Sequence, residues 1–250
     1  HAVLAAAPDP ANFDGVALIM FADTPLVTAD TLTRLASSID ATTSVAVLGF
    51  ETDHPHGYGR LVTDRSGHLT RIVEDKDADD NEQRITLVNG GIMAVRCPLL
   101  FDLIKRVQPN NKSGEIYLTD IIAIANQNGQ KVTFQLADEA EIAGVNNRAD
   151  LAHLEAILQH RLRHAAMQQG ATLIAPDTVF LSADTILGRD VTIEPHVVIG
   201  PKTNIGEGSI IKSFSHVEGA IIGASCVIGP YARLRPGTEA GDRVKIGNFV

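Results

Sequence analysis

The sequence predicts two architectures in one 250-residue chain, an α/β domain followed by a solenoid of short strands. Three observations carry that prediction. From Leu187 onward aliphatic side chains recur every six residues, at Leu187, Ile193, Ile199, Ile205, Ile211 and Val217. After a one-residue slip they resume at Ile222, Ile228 and Leu234, pass a weaker Ala240, and return at Ile246. Neither a helical nor a two-residue period produces this spacing, and short coils of this kind bury their apolar faces only by stacking on one another. Ahead of the repeat, short apolar runs alternate with helix-like segments, the pattern of an α/β domain. Between the two lies one long amphipathic stretch. The predicted division is therefore 1–146 for the α/β domain, 147–170 for a linker helix and 171–250 for the solenoid.

Taken in order, His1-Ala2-Val3-Leu4-Ala5-Ala6-Ala7 reads as a helix already under way. Gly15-Val16-Ala17-Leu18-Ile19-Met20-Phe21 is a continuous apolar run, which predicts a strand buried on both faces of a parallel sheet. Thr28 is placed to cap a helix running to about Ser37, with Leu32 and Leu35 inward. Residues 45–48 read as a second buried strand, and 59–95 as a strand-rich insertion. Helices are predicted over 99–107 and 119–127, the latter with Gly129 beyond its end, and 132–136 closes the sheet. Over 147–169, Leu151, Leu154, Ile157, Leu158, Leu162 and Ala165 fall at helical spacing, while His153, His160, Arg161 and His164 read as a solvated face. Within the repeat a glycine often follows the aliphatic, and four residues on stands a small or β-branched filler such as Val191, Thr203, Ser209 or Cys226.

Composition narrows the function classes. No apolar run approaches the roughly 18 residues needed to span a bilayer. The net charge of −9 argues against a general binder of nucleic acid or of anionic membranes. Cys97 and Cys226 read as reduced packing residues, which suits the cytoplasm.

Several residues are candidates for chemistry, each with a plainer alternative. Asp23 follows the first strand at its carboxyl end, where ligands of open α/β sheets bind, and a carboxylate there suits Mg²⁺; it also reads as a turn or capping residue. Gly57-Tyr58-Gly59-Arg60 lets backbone approach a ligand, or is a hairpin turn. Glu74 stands among mixed charges, either at a site or in an exposed ion-pair patch, and Asn89-Gly90-Gly91 marks a bulge or a close approach inside a strand. Thr119 or Asp120 opens a helix and serves equally as a cap; Asn146 or Asn147 caps the long helix.

In this order, Asp-Thr-Pro-Leu, Gly-Tyr-Gly-Arg, Val-Glu-Asp-Lys-Asp, Val-Asn-Gly-Gly-Ile, Gly-Glu-Ile-Tyr-Leu-Thr-Asp and Gly-Val-Asn-Asn-Arg, then a helix and six-residue repeats, resemble one bacterial family. Its members join N-acetylglucosamine-1-phosphate uridylyltransferase to glucosamine-1-phosphate N-acetyltransferase. The resemblance implies a Rossmann-like nucleotidyltransferase domain, a linker helix and a left-handed parallel β-helix. It implies acetyl transfer from acetyl-CoA to glucosamine-1-phosphate, then Mg²⁺-dependent uridylyl transfer from UTP to N-acetylglucosamine-1-phosphate, giving UDP-N-acetylglucosamine. Asp23 and Asn146 match the family's Mg²⁺ ligands; Gly59, Glu74 and Asn89 match positions that hold the N-acetylglucosamine moiety, with Tyr117 and Thr119 lining the same pocket. Arg235 matches an arginine that contacts the acetyltransferase's phosphosugar. Ala22 stands where glycine is common and Ile116 where an aromatic is usual. The family's UTP-gripping loop has no counterpart after His1, and its acetyltransferase general-base histidine falls past Val250, so no catalytic residue is assigned and a weakly active or inactive piece is expected. The intact family member is expected to be a cytoplasmic homotrimer of the cell-wall precursor pathway. A single-function sugar nucleotidyltransferase with an oligomerising solenoid, or a non-catalytic scaffold, are the alternatives.

Overall fold

A computed structural model describes residues 2–5, 13–109 and 114–249, in two compact units, His1–Asp150 and Leu151–Val250. The first unit contains, in chain order, α1 (Ala2–Ala5), β1 (Val16–Ile19), α2 (Ala29–Ser37), β2 (Thr43–Glu51), β3 (Arg60–Thr63), β4 (Leu69–Val73), β5 (Leu87–Arg96), α3 (Leu99–Ile104), α4 (Ile121–Gln127), β6 (Lys131–Leu136) and α5 (Glu139–Ile142). The sheet runs β4-β3-β5-β2-β6, with β1 joined to β5 beside β3. It is mixed: β2 and β6 are parallel, whereas β5 is antiparallel to β1, β2 and β3.

Alternation along β2 explains why that strand is buried on both faces. Val45 and Val47 pack with Leu100, Leu103, Ile121 and Ile122, while Ala46, Leu48 and Phe50 pack with Leu35 and Ile142. Helices therefore cover both sides of the central strands. Thr28 caps α2 as predicted, accepting from the Thr31 N–H at 3.2 Å, and the Thr31 hydroxyl donates to Glu141 at 2.7 Å, which ties α2 to α5. Asn147 is the cap of the long helix, accepting from the N–H groups of Ala149 and Asp150. The helix predicted over 99–107 ends at Ile104, and that over 119–127 begins with a 3₁₀ turn, Leu118–Asp120. The opening helix covers Ala2–Ala5; His1, Ala6 and Ala7 lie outside the described residues.

One expectation is overturned. The first apolar run is not a strand buried on both faces of a parallel sheet. β1 is antiparallel to β5, with Val16 opposite Arg96 and Ile19 opposite Met93, and Leu18, Met20 and Phe21 are exposed. A continuous apolar run records that a strand is hydrophobic, not which neighbours pair with it or in which direction.

Most of α6 (Arg148–Gln168) belongs to the second unit, and its buried face follows the sequence pattern in part, with Leu154 buried and Leu162 packed against the solenoid core. Leu154, Gln159, Arg163 and Ala166 are the buried positions, whereas Leu151 is 53% exposed and Ala165 is exposed. The cause is the first coil of the solenoid, whose backbone groups have a coil on one side only. Gln159 donates to the Leu181 carbonyl at 2.8 Å and accepts from the Leu181 N–H at 2.9 Å, and Arg163 donates to the Pro176 carbonyl at 3.1 Å. Long polar side chains thus complete hydrogen bonds that an apolar stripe would leave open. His153, His160 and His164 lie on the exposed face, as expected.

The solenoid is three parallel sheets of two-residue strands, one of five strands and two of four. The second residue of most strands, including Ile193, Ile199, Ile205, Ile211 and Val217, points inward and is buried, and so do the fillers Val191, Val197, Thr203, Ser209 and Cys226. Corners fall three residues after most of the aliphatics and adopt the left-handed conformation even without glycine: φ is 57° at Asp190, 60° at His196 and 56° at Lys202. Glycine is required where coils stack most closely. A Cβ at Gly206 would lie 2.6 Å from the carbonyl carbon of Gly223 in the next coil. The sequence slip has a structural form: Thr192 pairs with Ile210, but Ile210 pairs with Val227, so that coil is one residue shorter and turns at Gly219, φ 55°. Cys97 and Cys226 are both buried and free. Among the described residues no helix is long and apolar enough to cross a membrane.

Candidate functional site

The first unit carries a cavity of about 630 Å³. Asp23, Gly59, Glu74, Asn89, Tyr117, Thr119 and Asn146 all line it, although they are scattered over more than half of the unit's sequence. Arg235 is not among its lining residues; it lies exposed on the solenoid, where its carbonyl accepts from the Thr238 hydroxyl at 2.7 Å.

Local pairing explains how the residues converge. Asp23 lies in the turn after β1, and its carbonyl accepts from the Val145 N–H at 2.8 Å. That bond brings the 144–146 segment beside Asp23 and puts Asn146 on the same rim. The Asn146 N–H is itself fixed by Asp150 at 3.0 Å. On the opposite wall, Asn89 of β5 donates its backbone N–H to the Gly59 carbonyl at 2.7 Å, and its side-chain oxygen accepts from the Gly91 N–H at 3.0 Å. Gly59 is where bare backbone is needed: a Cβ there would approach Ile72 Cγ2 at 3.0 Å and Glu74 Oε2 at 3.3 Å.

Glu74 follows β4 and accepts a 2.7 Å hydrogen bond from the Thr119 hydroxyl. Thr119 therefore spends its side chain on the site wall, not on capping α4, and Asp120 makes no side-chain cap either. Burial raises the pKa of Asp120, and the neighbouring charges of Glu74 and Asp77 raise it further. Asp75, beside Glu74, does not belong to an exposed ion-pair patch: it pairs at 2.8 Å with Arg60, whose side chain is fully buried. Burial works to raise the Asp75 pKa, but the Gly57 N–H and the Arg60 guanidinium outweigh it and hold the carboxyl below its ordinary range.

The sequence pattern passed over Arg60 and Asp75 as partners, and also over His56 and Phe21, which line the cavity. The one available signal was an arginine opening a strand and an aspartate closing its neighbour. That signal becomes a contact only once β3 and β4 pair with Arg60 opposite Val73. His56 is the sole basic side chain among the described lining residues. Among the described residues no group of three or more His, Cys, Asp or Glu side chains is arranged to hold a metal ion.

Comparison with known proteins accounts for both units. A family described as bacterial transferase hexapeptide (six repeats) matches residues 184–219 of the solenoid. Proteins named "Bifunctional protein GlmU" align with the chain throughout. That of Zymomonas mobilis is 46% identical over 252 residues, covering 100% of this chain and 56% of the relative. That of Azorhizobium caulinodans is 48% identical over 250 residues, with 100% and 56% covered. That of Xanthobacter autotrophicus is 51% identical over 236 residues, with 94% and 52% covered. The chain thus spans about half the length of the curated relatives it matches. Along its length the chain is thus similar, at 46–51% identity, to proteins that carry this name.

Proposed function

We propose that the chain serves UDP-N-acetylglucosamine synthesis, and that its cavity holds the N-acetylglucosamine-1-phosphate acceptor of uridylyl transfer. The observation that carries this reading is the convergence of Asp23, Gly59, Glu74, Asn89, Tyr117, Thr119 and Asn146 on one cavity. Glu74 and Asn89 offer hydrogen-bond acceptors and donors suited to sugar hydroxyls, with Gly59 leaving room for the ring. In the reaction a phosphate oxygen of the sugar-1-phosphate attacks the α-phosphorus of UTP and pyrophosphate leaves. These residues align the acceptor for that attack.

Asp23 and Asn146 fit a role in holding Mg²⁺. They provide one carboxylate and one amide, both on the exposed cavity rim and neither engaged through its side chain by another described residue. Mg²⁺ takes few protein oxygens and keeps water and phosphate ligands, so a sparse oxygen pair matches it better than a metal that needs a closed protein cage. When bound, the ion would neutralise the anionic partners. With His56 the only basic side chain among the described lining residues, the cavity has little protein charge of its own for a triphosphate, and uridylyl transfer by this chain alone is expected to be slow.

The solenoid is proposed to serve the companion reaction, in which the amine of glucosamine-1-phosphate attacks the thioester of acetyl-CoA and coenzyme A leaves. Its family match and the exposed Arg235 support this. Assembly as a homotrimer, through the flat outer faces of the coils, belongs to the same reading, and light scattering on the purified protein tests it.

Titration calorimetry of UDP-N-acetylglucosamine into the chain, with and without Mg²⁺, tests the cavity. Saturable binding that Glu74→Gln weakens, and that loses its Mg²⁺ dependence in Asp23→Asn, is expected. No binding to the unmodified chain, or binding indifferent to both substitutions, overturns the assignment.

A further inference from the structure

Arg60 is fully buried, yet its guanidinium serves two separate walls of the cavity. One terminal nitrogen donates to Asp75 Oδ1 at 2.8 Å, immediately after Glu74. The other donates to the Tyr58 carbonyl, between the cavity-lining Gly57 and Gly59. Asp75 completes the loop by accepting the Gly57 N–H. The third nitrogen, Nε, is buried without a partner.

Stability alone does not call for this arrangement. Replacing a buried ion pair by apolar side chains is commonly neutral or stabilising, and a guanidinium with an unpaired N–H carries an added desolvation cost. What the guanidinium does, and an apolar side chain cannot, is fix two loops relative to each other through planar, directional hydrogen bonds. Those loops present Gly59 and Glu74, which stand close enough that a methyl on Gly59 would touch the Glu74 carboxylate. Thr119 holds that carboxylate from its other side at 2.7 Å.

We propose that Arg60 is a positioning residue, which sets the spacing between the Gly57–Gly59 backbone and Glu74 and so determines how tightly the cavity grips an N-acetylhexosamine. This rests on the reading of the cavity as a sugar subsite. Asp75 is its partner in the same task, and neither residue touches the sugar.

The test compares Arg60→Met, Arg60→Lys and Glu74→Gln in the full chain by two measurements, UDP-N-acetylglucosamine affinity and amide hydrogen exchange in the free protein. Arg60→Met keeps the stem and removes the fork; because the Asp75 side chain is 28% exposed, water can take over its charge and the fold survives. The expected result is an affinity loss of about 10- to 100-fold, by analogy with the loss of a hydrogen-bonded partner that orients a metal ligand. Arg60→Lys recovers part of it, since one ammonium reaches Asp75 or the Tyr58 carbonyl but not both. Exchange accelerates at Tyr58, Asp77 and Asn89, while the amides of Thr43–Glu51 stay protected. Unchanged affinity together with unchanged exchange overturns the proposal, and so does acceleration spread evenly across the sheet, which marks a merely structural role. Asp75→Asn repeats both measurements if Arg60→Met does not fold. If the unmodified chain fails to bind the sugar nucleotide, the subsite reading fails, and the exchange pattern alone decides whether Arg60 braces the two walls.

Discussion

Gly59→Ala isolates the sugar wall from the fold. The Gly59 backbone is not in the left-handed region, so alanine introduces no conformational strain there, only a methyl group. That methyl meets Ile72 Cγ2 at 3.0 Å, Glu74 Oε2 at 3.3 Å and Asn89 Cβ at 3.6 Å. The first two contacts are tighter than ordinary packing, so Ile72 or Glu74 shifts by a few tenths of an ångström. Ile72 is buried, and Glu74 is held by Thr119, so neither yields freely. Overpacking of this kind costs about 1–3 kcal/mol. Strain present in both free and bound protein cancels in an affinity. What remains is the displacement of Glu74 and the volume taken from the ligand, and if it carries most of that cost the affinity falls about 5- to 150-fold. Calorimetric titration with UDP-N-acetylglucosamine measures it, and urea unfolding of the α/β unit measures the remainder. Wild-type affinity in Gly59→Ala would refute the placement of the sugar against this wall, whatever happened to stability.

Three further outcomes follow from the geometry. Gln159→Leu leaves the Leu181 N–H and carbonyl without their side-chain partner, and at about 1–3 kcal/mol for each buried unsatisfied group it should lower the solenoid's urea midpoint, even though leucine fits the helix pattern better than glutamine. Ile211→Ala removes a fully buried side chain from the solenoid and should cost about 2–5 kcal/mol, leaving binding at the α/β cavity untouched in the same titration. The α/β unit should also respond to acid with a defined sign. The Thr43 N–H and Thr42 lower Asp40 to about 2, the His68 and Ser66 N–H groups lower Asp64, and Asp75 is lowered against the effect of its own burial. A carboxyl lowered in the folded state contributes in full above its ordinary value of 3.8 and loses that contribution as pH falls through the lowered one. Asp120, raised by burial and by Glu74 and Asp77, opposes this: it favours the folded protein when protonated and that contribution is lost as pH rises through its raised value. Unfolding midpoints of the α/β unit should therefore fall steeply only below about pH 4; a fall beginning near neutrality would contradict the assignment.

The solenoid was open to inspection in the primary structure because its rule is local. One aliphatic every six residues, a filler four places on and a glycine where coils stack closely state both the coil and its stacking, and even the one-residue shortening near Gly219 is visible as a slip in phase. The cap at Thr28 was equally plain, and that of the long helix was narrowed to Asn146 or Asn147, since a cap involves only the next few residues. The direction and exposure of β1 were not, because pairing with β5 joins residues far apart in the chain and nothing in an apolar run names its neighbour. Likewise α6 hides Gln159 and Arg163 beside Leu154 while exposing Leu151, a departure from the apolar pattern imposed by the unpaired backbone of the coil beneath it.

The candidate site divides along the same line. Its residue types stood out by their turn chemistry and by the resemblance, yet Thr119 remained equally a cap and Glu74 equally part of an exposed ion-pair patch until strands paired. Folding brings Thr119 to Glu74, sets Arg60 across from the end of β4, and lays the 144–146 segment against Asp23 through a single backbone hydrogen bond. Such contacts depend on distances of a few ångströms between segments tens of residues apart. A sequence encodes them only through the burial and hydrogen bonding of the whole chain, whereas a six-residue period is satisfied, or broken, one coil at a time.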